Sequence, residues 1–175
     1  HLPVGIPGTL SNSGALYIGR GSDQLGSPVS VSVAALANTG QITMFGDYTS
    51  PATTTLAVHS DAGMGTAGAA SGSVMLDGQA TLVFDAGQIG TVAAGGLLQF
   101  FGLSRIADAA DVTSNSALTG LTSVAGTLSL GDETLAVAGD LGNTGRIDID
   151  DQYGGVGSSA VGIAGTLSNA SFLYL

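Results

Sequence analysis

The side chains best suited to chemistry are carboxylates, and they gather at Asp148, Asp150 and Asp151, just before Gly154-Gly155, with Asp140 upstream. On a strand, Asp148 and Asp150 point to one outward face about 6.6 Å apart. That is wide for a single ion. With Asp151 and turn carbonyls it becomes a conceivable calcium site, since calcium takes six to eight oxygens. Neither an EF-hand spacing nor a recurring Gly-Gly-x-Gly-x-Asp nonapeptide accompanies it, so a solvated acidic face is the plainer expectation. Asp108 and Asp111 form the nearest approach to a hydrolytic carboxylate pair. His59 follows Leu56-Ala57-Val58 and reads as an outward polar residue of a strand. Tyr17 and Tyr174 occupy matching places in a repeat and could offer a stacking surface to a glycan, although lateral packing is the commoner use of such a residue.

Composition removes other chemistries. The chain has 175 residues, no Cys, three Lys plus Arg against thirteen Asp plus Glu, and a net charge of −10. Without cysteine there is no disulfide scaffold, thiolate metal site or thiol nucleophile. The three cations Arg20, Arg105 and Arg146 cannot track a phosphate backbone, so nucleic acid is excluded as a partner. They would also hold a uronate polymer poorly, which argues against a polysaccharide lyase. Thr53-Thr54-Thr55 does not recur as the regular array that ice binding needs. No apolar run approaches the roughly 18 residues of a membrane span. The opening His1-Leu2-Pro3-Val4-Gly5 has neither Met nor a basic leader region and reads as an excised or processed start. Mean hydropathy of +0.43 and 44% hydrophobic residues indicate a folded chain despite 29 glycines.

The elements that position these groups are repeats. Four segments share one template: Leu10-Ser-Asn-Ser-Gly-Ala-Leu-Tyr-Ile18, Leu36-Ala-Asn-Thr-Gly-Gln-Ile-Thr-Met44, Leu141-Gly-Asn-Thr-Gly-Arg-Ile-Asp-Ile149 and Leu167-Ser-Asn-Ala-Ser-Phe-Leu-Tyr-Leu175. Gly14 and Gly40 lie 26 apart, as do Gly145 and Ser171. Val83-Phe-Asp-Ala-Gly-Gln-Ile89 is a weaker copy. Apolar and small polar residues alternate around the template, as at Val29, Val31 and Val33, and period two means strand. Gly and Asn at the junctions tolerate positive φ and so suit corners. Arg105-Ile-Ala-Asp-Ala-Ala-Asp111 breaks the alternation and suggests a short helical turn or a loop.

Short strands joined by Gly and Asn corners at 20 to 26 residues predict an all-β chain folded as a right-handed parallel β-helix. Asn12, Asn38, Asn143 and Asn169 then form a structural corner ladder, each amide bonding to the coil above or below. A longer period overlies the short one: Gly8-Thr-Leu-Ser-Asn12 recurs as Gly165-Thr-Leu-Ser-Asn169, an offset of 157 residues (8 to 165). Residues 1–175 therefore read as one solenoid segment of about one long repeat plus overlap.

Runs such as Asn115-Ser-Ala-Leu-Thr-Gly-Leu-Thr-Ser-Val-Ala-Gly-Thr-Leu128 and Val161-Gly-Ile-Ala-Gly-Thr-Leu-Ser-Asn169 resemble the tandem β-strand repeats of very large secreted or cell-surface adhesin-like proteins of Gram-negative bacteria. Filamentous-haemagglutinin-type β-helices are the better-known relatives. The resemblance implies an extracellular or cell-surface location and a structural or adhesive role without catalysis. It supplies no catalytic residues and no cofactor beyond the calcium considered above. Head-to-tail self-association into filaments and a host or matrix glycan are the partners to expect. The runner-up is a carbohydrate-binding or carbohydrate-active β-helix.

Overall fold

A computed structural model describes residues 3–19, 26–49, 52–60, 65–66, 68–85, 87–150 and 158–175. These residues form a parallel β-solenoid of about 6 turns. Seven strands build its longest face, in the order Ala15–Gly19, Gln41–Phe45, Ser73–Asp77, Leu97–Phe101, Thr127–Gly131, Arg146–Ile149 and Phe172–Tyr174. A five-stranded sheet stacks Val4–Asn12, Val29–Asn38, Thr54–Val58, Ala80–Phe84 and Arg105–Asp108. A six-stranded sheet of short strands makes the third face, and Thr134–Val137 pairs with Ala160–Ile163 as a separate two-stranded piece. Among the described residues every pairing of strands is parallel except Gly65–Thr66 with Ala69–Ala70.

Alternation places the core. In the seven-stranded sheet Leu16, Ile42, Val74, Leu98, Leu128, Ile147 and Leu173 stand in register as one column, and Ile18, Met44, Leu76, Phe100 and Leu130 as a second. Leu56, Leu82 and Ile106 stack opposite them from the five-stranded sheet. All three are fully buried. Each such side chain contributes roughly 1.5–3 kcal/mol by leaving water, so stacked aliphatic columns supply the driving force that the scarce aromatics cannot.

Coil length varies more than the 20 to 26 residues expected. Along the seven-stranded sheet the steps are 26 (Ala15 to Gln41), 32 (Gln41 to Ser73), 24 (Ser73 to Leu97), 30 (Leu97 to Thr127), 19 (Thr127 to Arg146) and 26 (Arg146 to Phe172). The 30-residue coil carries an insertion with a 3-10 turn at Ser116–Leu118, and the next coil is cut to 19. Arg105-Ile-Ala-Asp108 is a strand rather than a helical turn, because Ile106 sits in register with Leu82. The weak copy at 83–89 is not a rung of the template either. Val83 and Phe84 belong to the five-stranded sheet, and Gly87 turns the chain at φ 100.

The template glycines serve a different purpose from the expected one. Gly14, Gly40, Gly72, Gly96, Gly126 and Gly145 each precede the first residue of a strand of the seven-stranded sheet, and none has positive φ. Their carbonyls accept from the next rung, as in Thr127 N to Gly96 O at 2.9 Å and Arg146 N to Gly126 O at 2.8 Å. A Cβ on Gly40 would lie 2.2 Å from Gly14 O, and one on Gly145 2.1 Å from Gly126 O. Close backbone approach, not backbone conformation, requires glycine there. The left-handed corner falls at the other end of the same strands, where Gly78, Gly102, Asp132 and Asp150 have φ between 59 and 70. Aspartate is among the few residues with a side chain that tolerate this region.

Candidate functional site

The four template asparagines occupy one corner. Asn12 Nδ2 donates to Asn38 Oδ1 at 2.7 Å and to Gln41 O at 2.9 Å. Asn143 Nδ2 donates to Asn169 Oδ1 at 2.7 Å and to Phe172 O at 2.8 Å, while Asn143 Oδ1 accepts from Gly145 N at 3.1 Å. Between the two pairs the same corner holds Ala70, Val92 and Val124, paired in register through to Asn143. Asn38 and Asn143 are fully buried. Each amide is a bonded staple between successive coils, the arrangement that makes its burial tolerable.

The acidic motif does not gather into one outward face. Asp148 lies on the outer surface of its sheet yet is only 5% exposed. Arg146 Nε sits 2.6 Å from Asp148 Oδ2, and the Arg146 guanidinium lies 4.6 Å from the centre of the Tyr174 ring, one rung along. This corrects the expectation of a solvated carboxylate: Arg146 on the same strand and Tyr174 on the next rung, 26 positions on, cover it. Asp150 is a corner residue at φ 59, and its carboxylate takes Ser159 Oγ at 2.5 Å and Ser159 N at 2.8 Å. Those bonds hold its pKa below the usual carboxylate range. Asp151 lies outside the described residues. Among the described residues no group of three or more His, Cys, Asp or Glu side chains is placed to hold a metal.

Tyr17 and Tyr174 share one outward column but stand on the two outermost strands of the seven-stranded sheet, six spacings or about 29 Å apart. Within one chain they cannot form a common platform. Both are exposed, and Tyr174 in addition stacks on Phe172 with ring centres 6.0 Å apart and leans on Arg146. His59 is outward and exposed, with Nδ1 2.7 Å from Asp85 Oδ2. The carboxylates of Asp108 and Asp111 are spent on the turn that follows the strand, Asp108 accepting from Ala110 N and Asp111 from Thr113 N, Thr113 Oγ1 and Ser114 Oγ. Those donors pull the Asp111 pKa down to about 2.

The most site-like feature is one that spacing did not reveal. It lies where the five-stranded sheet stops at Arg105–Asp108 and the two-stranded piece begins at Thr134–Val137. Asn115 fills the gap with its side chain. Its Oδ1 accepts from Ile106 N at 3.0 Å, and its Nδ2 donates to Thr134 O at 3.0 Å and to Glu133 Oε2 at 3.2 Å. One amide thus stands where a strand would, while Ala117 and Leu118 of the 3-10 turn fill the core beneath. Beside this break is a cavity of about 330 Å³ lined by Leu103, Arg105, Ser114, Asn115, Asp132 and Glu133 among others.

Glu133 is 7% exposed, and burial drives its pKa up to about 7, against the opposing pull of Arg105 and the Asn115 bond. Between about 4.5, its ordinary value, and about 7 the unfolded chain loses this proton while the folded chain keeps it. Stability therefore falls as pH rises through that window, by roughly 1–3 kcal/mol. Glu133→Gln should flatten this part of the profile in chemical denaturation from pH 4 to 8. An unchanged slope in the variant would assign the titration to another group. The aperiodic stretch after Arg105 was the only sequence signal for this region, and it gave no hint that Glu133 faces Arg105.

Compared with protein-family models, curated proteins and solved structures, the chain matches none.

Proposed function

We propose that the chain is a non-catalytic structural segment of an extracellular, cell-surface fibre or adhesin, built to continue end to end. One observation carries the reading. The segments related by the 157-residue offset occupy the two outermost strands of the seven-stranded sheet with their side chains in the same columns, Leu16 with Leu173 and Tyr17 with Tyr174. The stack thus returns to its starting phase. A unit of this kind can be followed by a copy of itself with parallel pairing and aliphatic columns unbroken, and such a heterologous contact does not close, so it grows linearly. Strand edges on both outer rungs supply backbone donors and acceptors for the join.

Sedimentation velocity with electron microscopy from 1 to 100 μM tests this. Association worth about 5–6 kcal/mol is populated at the upper concentration. Linear assemblies one solenoid wide are expected. A strictly monomeric chain throughout would remove the head-to-tail reading.

A further inference from the structure

We propose that the cavity at the sheet break binds a neutral saccharide unit, its hydroxyls shared between the Arg105 guanidinium and the Glu133 carboxyl group. The inference is independent of the fibre reading. Three observations lead to it. First, Arg105 makes no hydrogen bond or ion pair with the described residues, so its fork of donors is unspent where it faces the cavity. A planar fork beside a carboxyl group suits adjacent hydroxyls, each of which donates once and accepts once. Second, Glu133 is 7% exposed and its carboxyl group is met by the Asn115 side chain, at Oε2, and by the backbone N–H of Thr134, which leaves lone pairs for a ligand. Asn115 is itself fixed on both sides by the backbone of the two strands it bridges, so the floor is built before any ligand arrives. Preorganisation of this sort is what makes a small polar site worth having.

Third, the charges select the ligand. Asp132 stands beside Glu133 on the lining, which Arg105 shares, and the chain as a whole carries −10. An anionic ligand meets Asp132, Glu133 and the general field, while a cationic one meets Arg105. A neutral polyol uses both signs and is repelled by neither. The rim completes the fit: Leu103 is 53% exposed and offers an apolar surface to the C–H face of a sugar ring, and Ser114 adds a hydroxyl. At about 330 Å³ the space lies at the small end of ligand pockets. It therefore suits a single ring, such as the end of a glycan chain, better than an extended oligosaccharide.

The test is a titration of the nitrogen-15-labelled chain followed by amide shifts. Glucose, galactose and N-acetylglucosamine serve as neutral probes, glucuronate and putrescine as charged ones. At least one neutral sugar should shift the amides of Leu103, Arg105, Ser114 and Glu133 with a midpoint of about 1–10 mM, the range of a single small site. The charged probes should bind at least ~10-fold more weakly. Arg105→Ala and Glu133→Gln should each raise the midpoint about 5-fold or more, by removing a partner from the shared hydroxyls. Arg105 makes no side-chain hydrogen bond or ion pair among the described residues, so Arg105→Ala should change thermal unfolding little, and the isosteric Glu133→Gln provides the second arm. The proposal is overturned if no neutral sugar shifts these amides up to 100 mM, if glucuronate or putrescine binds as well, or if Arg105→Ala leaves the midpoint unchanged.

Discussion

Replacing Gly126 by alanine should cost the fold about 3–5 kcal/mol, at the upper end of what one added methyl group does. The new Cβ would lie 2.3 Å from Gly96 O and 2.4 Å from Ala93 O, and neither backbone can retreat without breaking its own bonds. Thr127 N to Gly96 O at 2.9 Å and Gly126 N to Val92 O at 3.1 Å hold the coils at the distance that creates the clash. Against a typical total of 5–15 kcal/mol, the variant should unfold at much lower denaturant or fail to accumulate. Gly14→Ala is the control, because a Cβ there meets nothing within 4 Å. It should shift stability by less than about 0.5 kcal/mol. A loss under 1 kcal/mol for Gly126→Ala in equilibrium denaturation would mean that the coils separate easily at this corner.

The second large effect is expected at Asn115. Substitution by leucine, similar in size but without an amide, should destabilise by about 3–4 kcal/mol, since each buried group left without its partner costs roughly 1–3. Ile106 N and Thr134 O both lose their partner, and no strand lies between them to substitute. Asn115→Asp separates the two halves of the argument. It keeps an acceptor for Ile106 N while placing a carboxylate against Glu133 and Thr134 O, so it too should destabilise, and more so as pH rises. If the leucine variant melts with the parent, the break between the sheets is held by the 3-10 turn alone.

Much of the architecture could be read before any coordinates, and the reason is chemical. Period-two alternation at Val29–Val33 or Ile147–Ile149 is a direct imprint of which side chains enter the core, and the 26-residue spacing of Asn12 with Asn38 is one full coil. What escaped was contact between coils whose spacing is not 26, and side-chain contact that alternation does not encode. The rungs Gly72, Gly96 and Gly126 keep their glycine, but Ala70, Val92 and Val124 replace asparagine and hide the template. Alternation alone places Asp148 outward and so in solvent; Arg146, two residues back on the same strand, and Tyr174 on the next rung cover it. Likewise Glu133 becomes notable only once a coil of 30 residues followed by one of 19 brings Arg105, Asn115 and Glu133 to one place. An irregular insertion leaves no periodic trace, so sites of this type are the part of a solenoid that pattern reading sees last.

The corner column of Asn12, Asn38, Ala70, Val92, Val124, Asn143 and Asn169 has a meaning beyond the staples it provides. Apolar rungs are indifferent to alignment: a valine satisfies an alanine or another valine equally, so a stack of such coils can settle one rung out of place at little cost. An asparagine is not indifferent, because its neighbour must return a carbonyl or an amide at hydrogen-bond distance. The paired amides lie on the two rungs at each end of the stack, Asn12 with Asn38 and Asn143 with Asn169, while the rungs between them carry Ala70, Val92 and Val124. In the end-to-end assembly proposed above, the column would act as a key at the outer rungs, since a junction that set Asn12 or Asn169 against an apolar rung would forgo the amide pair that Asn12–Asn38 and Asn143–Asn169 make.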